Sequence, residues 1–335
     1  MARFHRQKFE DIVNTGFGPN SSVEGSRLIN KEGEADLRKV GLPLWERISI
    51  YHTLLRMKTS TFLIVVLLFY TTINIIFAFI YFFIGVENLL GADGNMPPFN
   101  KYMQAFFFSA QTLTTVGYGH VAPMGMITNI AAAIESLVGI LAFALVTVLI
   151  YGRFARPRAY ILFSKNSIIA PYKHGKGIMF RIATYKNNHL TDVEANLTVA
   201  LHEYENGKEI TKFYQLPLEI SKINSLALSW TIVHYLNDKS PLYGYTNKDF
   251  VDNKVEFISN IKAFDDHFSN IVQQRTSYTH NEIVYGAKFL PMFRRAEKGT
   301  HTILELNKVN AYEMVTLPEE IQDEFSESGT MTAKS

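Results

Sequence analysis

The chain has 335 residues, of which 47% are hydrophobic and 19% are charged, which leaves room for two or three folded units. Its formal net charge of +2 gives no global argument for nucleic-acid binding, and the absence of cysteine excludes disulfides, thiolate metal sites and cysteine chemistry. The composition changes sharply along the chain: polar before about residue 42, strongly apolar from 61 to 152, and typical of a soluble domain beyond 160.

The N-terminal part divides into a tail and an amphipathic stretch. Residues 1–42 show no apolar periodicity and predict a disordered cytosolic tail. From 43 to 58, apolar residues recur at helical spacing and charged residues occupy the other faces, which predicts a helix at the membrane surface with Trp45 at headgroup depth. An amphipathic helix packed on a protein core is the alternative.

Two long apolar runs flank a short one. Residues 61–84 carry no charge and exceed the roughly 20 residues that cross the hydrocarbon, and residues 127–152 predict a second span. Between them, residues 99–113 are apolar and aromatic, but at ~1.5 Å per residue their central dozen cover only about half the bilayer. This segment therefore predicts a re-entrant pore helix.

The word TTVGYG follows directly at residues 114–119. Loops of the TVGYG type replace the hydration shell of a potassium ion with inward-pointing backbone carbonyls, and glycine accepts the positive φ that this arrangement requires. We therefore predict a selectivity filter formed by Thr115, Val116, Gly117, Tyr118 and Gly119, in which the carbonyls of the first four bind K⁺ as the permeant ion. One chain supplies a quarter of such a ring, which predicts a homotetramer.

Three residues near the filter draw functional hypotheses. Glu135 is the only charged residue inside the second span before its end, and an intramembrane carboxylate is by default functional or paired. We expect it to hydrogen-bond behind the filter, with Gln111 as the candidate partner. Gly139 is the candidate hinge of the second span, and a small residue at a helix contact is the alternative.

Basic residues predict the orientation. They lie before the first span (Arg47, Arg56, Lys58) and after the second (Arg153, Arg156, Arg158), whereas the connecting segment offers only Lys101. By the positive-inside rule, this two-span protein has both termini in the cytoplasm and its re-entrant loop outside. Such a cluster also gains ~1 kcal/mol per basic residue from an anionic lipid surface.

The remaining half predicts a β domain over residues 159–318. Apolar and polar residues alternate at 193–201 and 226–232, and turn signals stand at 206–207 and 240–241. The fold class is therefore a membrane α-helical pore domain (residues 59–158, two transmembrane helices plus the re-entrant helix) followed by a cytoplasmic all-β immunoglobulin-like sandwich. The acidic segment 319–335 predicts a disordered tail.

Residues 43 to 305 resemble the inward-rectifier potassium channel family, and its bacterial branch in particular. The resemblance rests on FFFSAQTLTTVGYG, GRFARPRAYILFS, LALSWTIVHYLNDKSPLYG and QQRTSYTHNEIVYGAKF. The last two segments are far more specific than TVGYG, which all potassium channels share. The resemblance implies a tetramer in which four cytoplasmic sandwiches extend the pore, in a bacterial inner membrane.

The resemblance also implies residue roles. Tyr151 matches the bulky hydrophobic gate of bacterial members, which closes by dewetting. Phe143 is the second candidate gate residue. It stands where strongly rectifying animal relatives have an acidic residue that attracts polyamines, so weak or no polyamine-type rectification is expected. Gln111 replaces a glutamate that forms a salt bridge behind the filter in animal members. Phe268 and Ser269 correspond to the cytoplasmic constriction.

The same comparison implies lipid contacts. The positions that touch anionic headgroups in the family are occupied by Arg56, Lys58, Arg153, Arg156 and Arg158. Ordinary positive-inside anchors are the alternative for each of them. Anionic lipids and unidentified cytosolic modulators are thus the expected partners, and the sign of the lipid effect stays open.

No enzyme signature supports a different function. The chain lacks HExxH, GxxxxGK[ST] and GxSxG, and its histidines are scattered over different predicted elements. We predict a potassium channel that is not an enzyme and needs no cofactor. The alternative is a membrane-anchored sensor whose sandwich binds a ligand without conduction.

Overall fold

The computed structural model describes residues 27–35, 40–41, 43, 49–205, 208–296 and 301–318. The chain separates into two compact units. One comprises residues 40–156, and the other comprises residues 1–39 together with 157–335.

The first unit is helical. Its described elements are α1 (Ile50–Arg56), α2 (Thr59–Ile84), β1 (Leu89–Leu90), α3 (Pro98–Leu113), β2 (Ala122–Pro123) and α4 (Met126–Phe154). With 26 and 29 residues, α2 and α4 are ~39 and ~43 Å long, and both are long and apolar enough to cross a membrane. The 16 residues of α3 span only ~24 Å, shorter than the hydrocarbon core. The predicted pair of spans around a short helix is confirmed.

The three longer helices of this unit share one core. It is built from Phe77, Ala78 and Tyr81 of α2, Ala105 and Phe108 of α3, and Ala132 of α4. The rings of Tyr81 and Phe108 meet edge to face with centroids 5.0 Å apart. The short helix α3 is therefore held between the two long helices.

Helix α1 is shorter than the predicted stretch. Ser49 caps its start, where the Ser49 hydroxyl accepts a hydrogen bond from the amide of His52 at 3.4 Å. None of its residues is buried in the isolated subunit. Residues 44–48, including Trp45, lie outside the described residues, so the depth predicted for that tryptophan stays a prediction.

The second unit is rich in strands. They are β3 (Ile161–Phe163), β4 (Ser167–Tyr172), β5 (Gly175–Thr184), β6 (Leu190–Glu205), β7 (Lys208–Leu216), β8 (Lys222–Ser225), β9 (Ser229–Leu236), β10 (Glu256–Asp265), β11 (Asn270–Thr279), β12 (Ile283–Tyr285), β13 (Ala287–Phe289), β14 (Phe293–Arg295), β15 (Thr302–Leu304) and β16 (Tyr312–Met314), with helix α5 (Asn247–Asp252) between β9 and β10.

Two five-stranded sheets form the body of this unit. One has the order β11-β10-β6-β7 with β8 also paired to β6, and the other has the order β12-β4-β5-β3 with β9 also paired to β5. Alternate residues of β6 from Val193 to Leu201 are buried in the same core as Ile178 and Ile182 of β5. This core lies between the two sheets, which confirms the predicted sandwich.

Residues 27–35 pack onto the sandwich, so the prediction of a tail without structure up to residue 42 is wrong for this segment. Leu28 and Ile29 are buried against Ala200 and Phe213. The carboxylate of Glu256 accepts the amides of Leu28 at 2.8 Å and Ile29 at 3.3 Å. Two adjacent apolar residues supply this anchor, which is too short to produce a periodic pattern in the sequence.

His234 of β9 is a buried titratable group in the sandwich. Its Nδ1 pairs with the carbonyl of Pro217 at 2.7 Å and its Nε2 with the hydroxyl of Ser240 at 2.8 Å. Burial lowers the pKa of His234 below its ordinary value of 6.5, against smaller opposing effects of the Pro217 carbonyl and the Glu219 charge. The folded sandwich therefore holds this imidazole neutral.

We predict that the sandwich loses stability in mild acid through His234. The unfolded chain binds a proton that the folded state excludes, so the contribution is present above pH 6.5 and is lost as the pH falls through the folded pKa, by at most about 1.4 kcal/mol per pH unit. Denaturant titrations followed by the fluorescence of Trp230, in a W45F background, measure this. The variant H234Q should flatten the pH dependence, whereas H174Q, at an exposed site, should not; equal slopes in all three proteins would contradict the assignment.

Candidate ion-conduction site

The segment after α3 folds back on the last turn of that helix. The main-chain carbonyl of Gln111 accepts the amides of Val116 at 3.0 Å and Gly117 at 3.4 Å. The amide of Thr115 is bound by the carbonyl of Thr112 at 3.0 Å. The amides of residues 115–117 are thus bound by the helix, and the carbonyls of the loop remain available to another partner.

Every second residue of this loop has a left-handed backbone. The φ angles are 60° at Thr115, 53° at Gly117 and 78° at Gly119. Glycine adopts this region without steric cost, as predicted, but a β-branched threonine is strained there by ~1 kcal/mol or more. An alternation of this kind turns successive carbonyls toward one side, which is the conformation that coordination of an ion by backbone oxygens requires.

The side chains of the loop lie on the surface of the isolated subunit. Val116 is 53% exposed and Tyr118 is 77% exposed. A large exposed apolar and aromatic surface indicates an interaction site, so we expect neighbouring subunits to cover these side chains.

A polar network lies behind the loop. Glu135 of α4 accepts a hydrogen bond from the hydroxyl of Tyr81 at 2.6 Å and another from the hydroxyl of Ser109. The Ser109 oxygen also lies 3.0 Å from the side-chain oxygen of Asn74, although its single proton can serve only one acceptor at a time. All four side chains are fully buried. The network therefore connects α2, α3 and α4 through groups that have no access to water.

The partner expected for Glu135 is wrong within one chain. Its contacts are Tyr81 and Ser109, whereas Gln111 contributes a main-chain carbonyl to the loop. Residues 109 and 111 of a helix lie ~200° apart around its axis, so only one of them can face α4. Asn74, Tyr81 and Ser109 were missed from the sequence, although an asparagine inside an uncharged apolar span was a usable signal.

Gly139 lies at a close helix contact. A Cβ atom added at Gly139 would stand 2.0 Å from the carbonyl oxygen of Leu113, the last residue of α3. Helix α4 is continuous through this position. The geometry accounts for the glycine as a contact residue that lets the end of the pore helix approach α4.

The two predicted gate positions are exposed on α4. Phe143 is 76% exposed and Tyr151, two turns later, is 73% exposed. Within the described part of the chain, neither ring stacks on another aromatic ring, and the gate role of both residues stays a prediction.

The predicted lipid contacts fall into two groups. Arg56, Lys58, Arg156 and Arg158 have exposed side chains. Arg153 instead turns toward α1, where its Nη2 donates to the carbonyl of Met57 at 2.6 Å. The structure thus separates one of the five basic residues from the others.

The predicted constriction lies in a β-hairpin turn. Strand β10 ends at Asp265 and β11 begins at Asn270. The carboxylate of Asp265 accepts the amides of His267 at 2.9 Å and Phe268 at 3.3 Å, and Ser269 has a φ of 48°. This turn is tightly shaped by local hydrogen bonds, and the role of Phe268 and Ser269 stays a prediction.

The fold and the loop define a class of membrane protein. Two spanning helices around a short helix, which ends in a loop with free carbonyls, form the subunit of an ion channel, and an ion channel family model matches residues 61–156. The model of the inward rectifier potassium channel C-terminal domain matches residues 161–329, half of the chain. The chain belongs to the inward rectifier potassium channel family, and the proteins of this family are channels and not enzymes.

Several characterised relatives are similar over much of the chain. The inward rectifier potassium channel Kirbac3.1 of Paramagnetospirillum magnetotacticum is 29% identical over 286 residues, 84% of this chain and 94% of that protein. The inward rectifier potassium channel irk-1 of Caenorhabditis elegans is 23% identical over 80% of this chain, and the human inward rectifier potassium channel 18 is 24% identical over 65% of it. The matches span 53% and 52% of these two animal proteins. The predicted similarity to the bacterial branch is confirmed.

A likeness to a solved structure is much weaker. The sporulation control protein Spo0M of Bacillus subtilis aligns with 38% of this chain and 50% of its own at a TM-score of 0.22 and 8% identity.

We predict that Y81F destabilises the helical unit. The substitution removes a buried hydrogen bond to a carboxylate, which costs ~1–3 kcal/mol because no water can replace it. Thermal unfolding of the purified protein in detergent measures the loss. The control is Y102F, because the Tyr102 ring packs on Phe79 while its hydroxyl has no hydrogen bond within the described part of the chain. Equal stability of the two variants would mean that Glu135 does not depend on Tyr81.

Proposed function

We propose that four copies of this chain form a potassium-selective channel around a common axis. The observation that carries the proposal is the alternation of left-handed backbone at Thr115, Gly117 and Gly119, with the amides of residues 116 and 117 bound by the carbonyl of Gln111. Membership of the inward rectifier potassium channel family supports it. The alternative, a sensor that does not conduct, explains neither the free carbonyls nor the strained threonine.

The filter replaces water around the ion. The carbonyls of Thr115, Val116, Gly117 and Tyr118 from four subunits form successive rings, and the hydroxyl of Thr115 adds an oxygen at the inner mouth. A single subunit supplies one oxygen of four at each level, so selectivity requires the tetramer. The exposure of Val116 and Tyr118 in one chain supports this assembly, since neighbouring subunits would cover both.

Helix α3 supports the ion electrostatically. Its C-terminal end lies directly before the filter, and the last carbonyls of a helix carry a partial negative charge. In a tetramer four such ends point toward the same cation. The contacts among Tyr81, Ser109 and Glu135 hold each α3 in this position. The main-chain carbonyl of Gln111 binds two amides of the filter.

The gate lies at the cytoplasmic end of α4. Four Tyr151 rings close the pore by excluding water, and their exposure in the isolated subunit supports this role. Phe143 presents an apolar ring farther into the cavity, which offers no charge to a polyamine. We therefore expect weak or no polyamine-type rectification.

The basic residues determine the orientation of the chain in the membrane and the lipids that regulate the channel. Both termini lie in the cytoplasm, and the membrane is a bacterial inner membrane. Anionic headgroups bind the exposed basic residues Arg56, Lys58, Arg156 and Arg158, each worth ~1 kcal/mol at an anionic surface. Unidentified cytosolic ligands act on the sandwich, and the turn at Phe268 and Ser269 narrows the cytoplasmic pore.

We predict potassium flux into liposomes that contain the purified protein. Flux of K⁺ should greatly exceed flux of Na⁺, because the carbonyl rings fit the larger ion. The matched control is G117A, in which the positive φ of residue 117 becomes strained although no atom of the same chain blocks the added Cβ. Equal permeability to both ions, or no flux at any lipid composition, would favour the sensor.

We predict that Y151A raises the resting flux. Removal of the four rings widens the narrowest apolar segment, so water and ions enter without a gating signal. The same liposome assay measures the change, with F143A as the comparison. An unchanged flux in Y151A with a raised flux in F143A would place the closure at Phe143.

A further inference from the structure

One side chain fastens the end of α4 to the corner between α1 and α2. Nη1 of Arg153 donates to the carbonyl of Leu54 at 2.5 Å, and Nη2 donates to the carbonyl of Met57 at 2.6 Å. The guanidinium carbon lies 4.7 Å from the centroid of the Phe62 ring, which is itself buried. Three elements therefore meet on this residue.

The acceptors are carbonyls that α1 itself leaves unpaired. The last four carbonyls of a helix have no partner within it, and a cation near them is favourable. Leu54 lies in the last turn of α1 and Met57 is its C-cap residue. A planar guanidinium reaches both carbonyls at once, whereas a lysine ammonium is a point donor on a flexible stem.

The backbone packing supports the same connection. A Cβ atom added at Gly152 would stand 3.4 Å from Leu55 and 3.7 Å from the hydroxyl of Tyr51, both in α1. Helix α4 therefore rests on α1 at this level. Tyr151, the proposed gate residue, is the preceding residue of α4.

We propose that Arg153 is a positioning residue that couples α1 to the gate end of α4, and that it is not a lipid contact. A movement of α1 at the membrane surface reaches Tyr151 through this link. The exposed arginines, Arg156 among them, remain the groups that meet headgroups. This inference rests on the proposed gating function.

The test uses R153K and R153Q with R156Q for comparison. Each full-length protein is reconstituted in phosphatidylcholine vesicles with rising fractions of phosphatidylglycerol, and potassium flux is measured. Both Arg153 variants should reduce the change in flux between low and high phosphatidylglycerol about tenfold, the effect of losing a charge-assisted hydrogen bond, without moving the half-effect fraction. R156Q should move that fraction. Sodium-to-potassium selectivity should stay as in the unsubstituted protein.

Hydrogen exchange separates this inference from the proposed function. The amides in the last turn of α1 should exchange about tenfold faster in R153K and R153Q, and not in R156Q, because the Arg153 contacts stabilise that turn. This measurement tests the Arg153 contact even if the unsubstituted protein shows no potassium flux. Absence of flux would contradict the channel proposal and would leave the contact itself unaffected.

Three results would overturn the inference. A normal lipid response in R153K would show that charge suffices, and a shift of the half-effect fraction in R153Q parallel to R156Q would make Arg153 a headgroup contact. Where the Arg153 variants do not assemble as tetramers, F62L removes the ring beneath the guanidinium and keeps the charge. The third result that would overturn the inference is an F62L protein in which both the lipid response and the amide hydrogen exchange of α1 are unchanged.

Discussion

Hydrocarbon cannot hydrogen-bond to a peptide group. The irregular loop at residues 114–119, which follows a helix too short to cross the membrane, therefore needs other partners for its amides and carbonyls. Its amides turn back to the last turn of α3, where the carbonyl of Gln111 receives two of them. Its carbonyls cannot be served in the same way, because every second residue is left-handed and turns them to one side. We propose that these oxygens are the functional groups and that they bind the permeant cation.

The geometry of the loop therefore depends on the position of α3 within the helical unit. A displacement of that helix would move the Gln111 carbonyl and with it the loop. Apolar packing by Tyr81 and Phe108 sets the distance between helices, but such packing tolerates small sliding and rotation. The directional contacts from Glu135 to Tyr81 and Ser109 remove this freedom, and the absence of a side chain at Gly139 lets the Leu113 carbonyl approach. The buried polar network thus fixes the relative position of the helices in addition to stabilising the unit.

How much the sequence predicts depends on whether a feature is local. The spans and the short helix are predicted by the lengths of apolar runs, and β6 is predicted by its alternation, because each of these signals lies in consecutive residues. The contact between Tyr81 and Glu135 joins residues 54 apart, and its existence depends on which face of each helix points inward, so Gln111 was a reasonable but wrong partner. The segment 27–35 was missed because two buried residues, Leu28 and Ile29, make no pattern.

The structure distinguishes basic residues that look alike in the sequence. Five basic residues beside the predicted spans are equivalent in a sequence, since each is a cation next to an apolar helix. Arg153 differs because the end of α1 presents two carbonyls at the spacing of its guanidinium nitrogens, and the two bonds turn the guanidinium toward α1. On our proposal, a count of basic residues therefore overstates the lipid site by the one that binds the end of a helix. In a channel of this architecture, the residues that sense the membrane and the residue that transmits the signal can share one chemistry and be told apart by their acceptors.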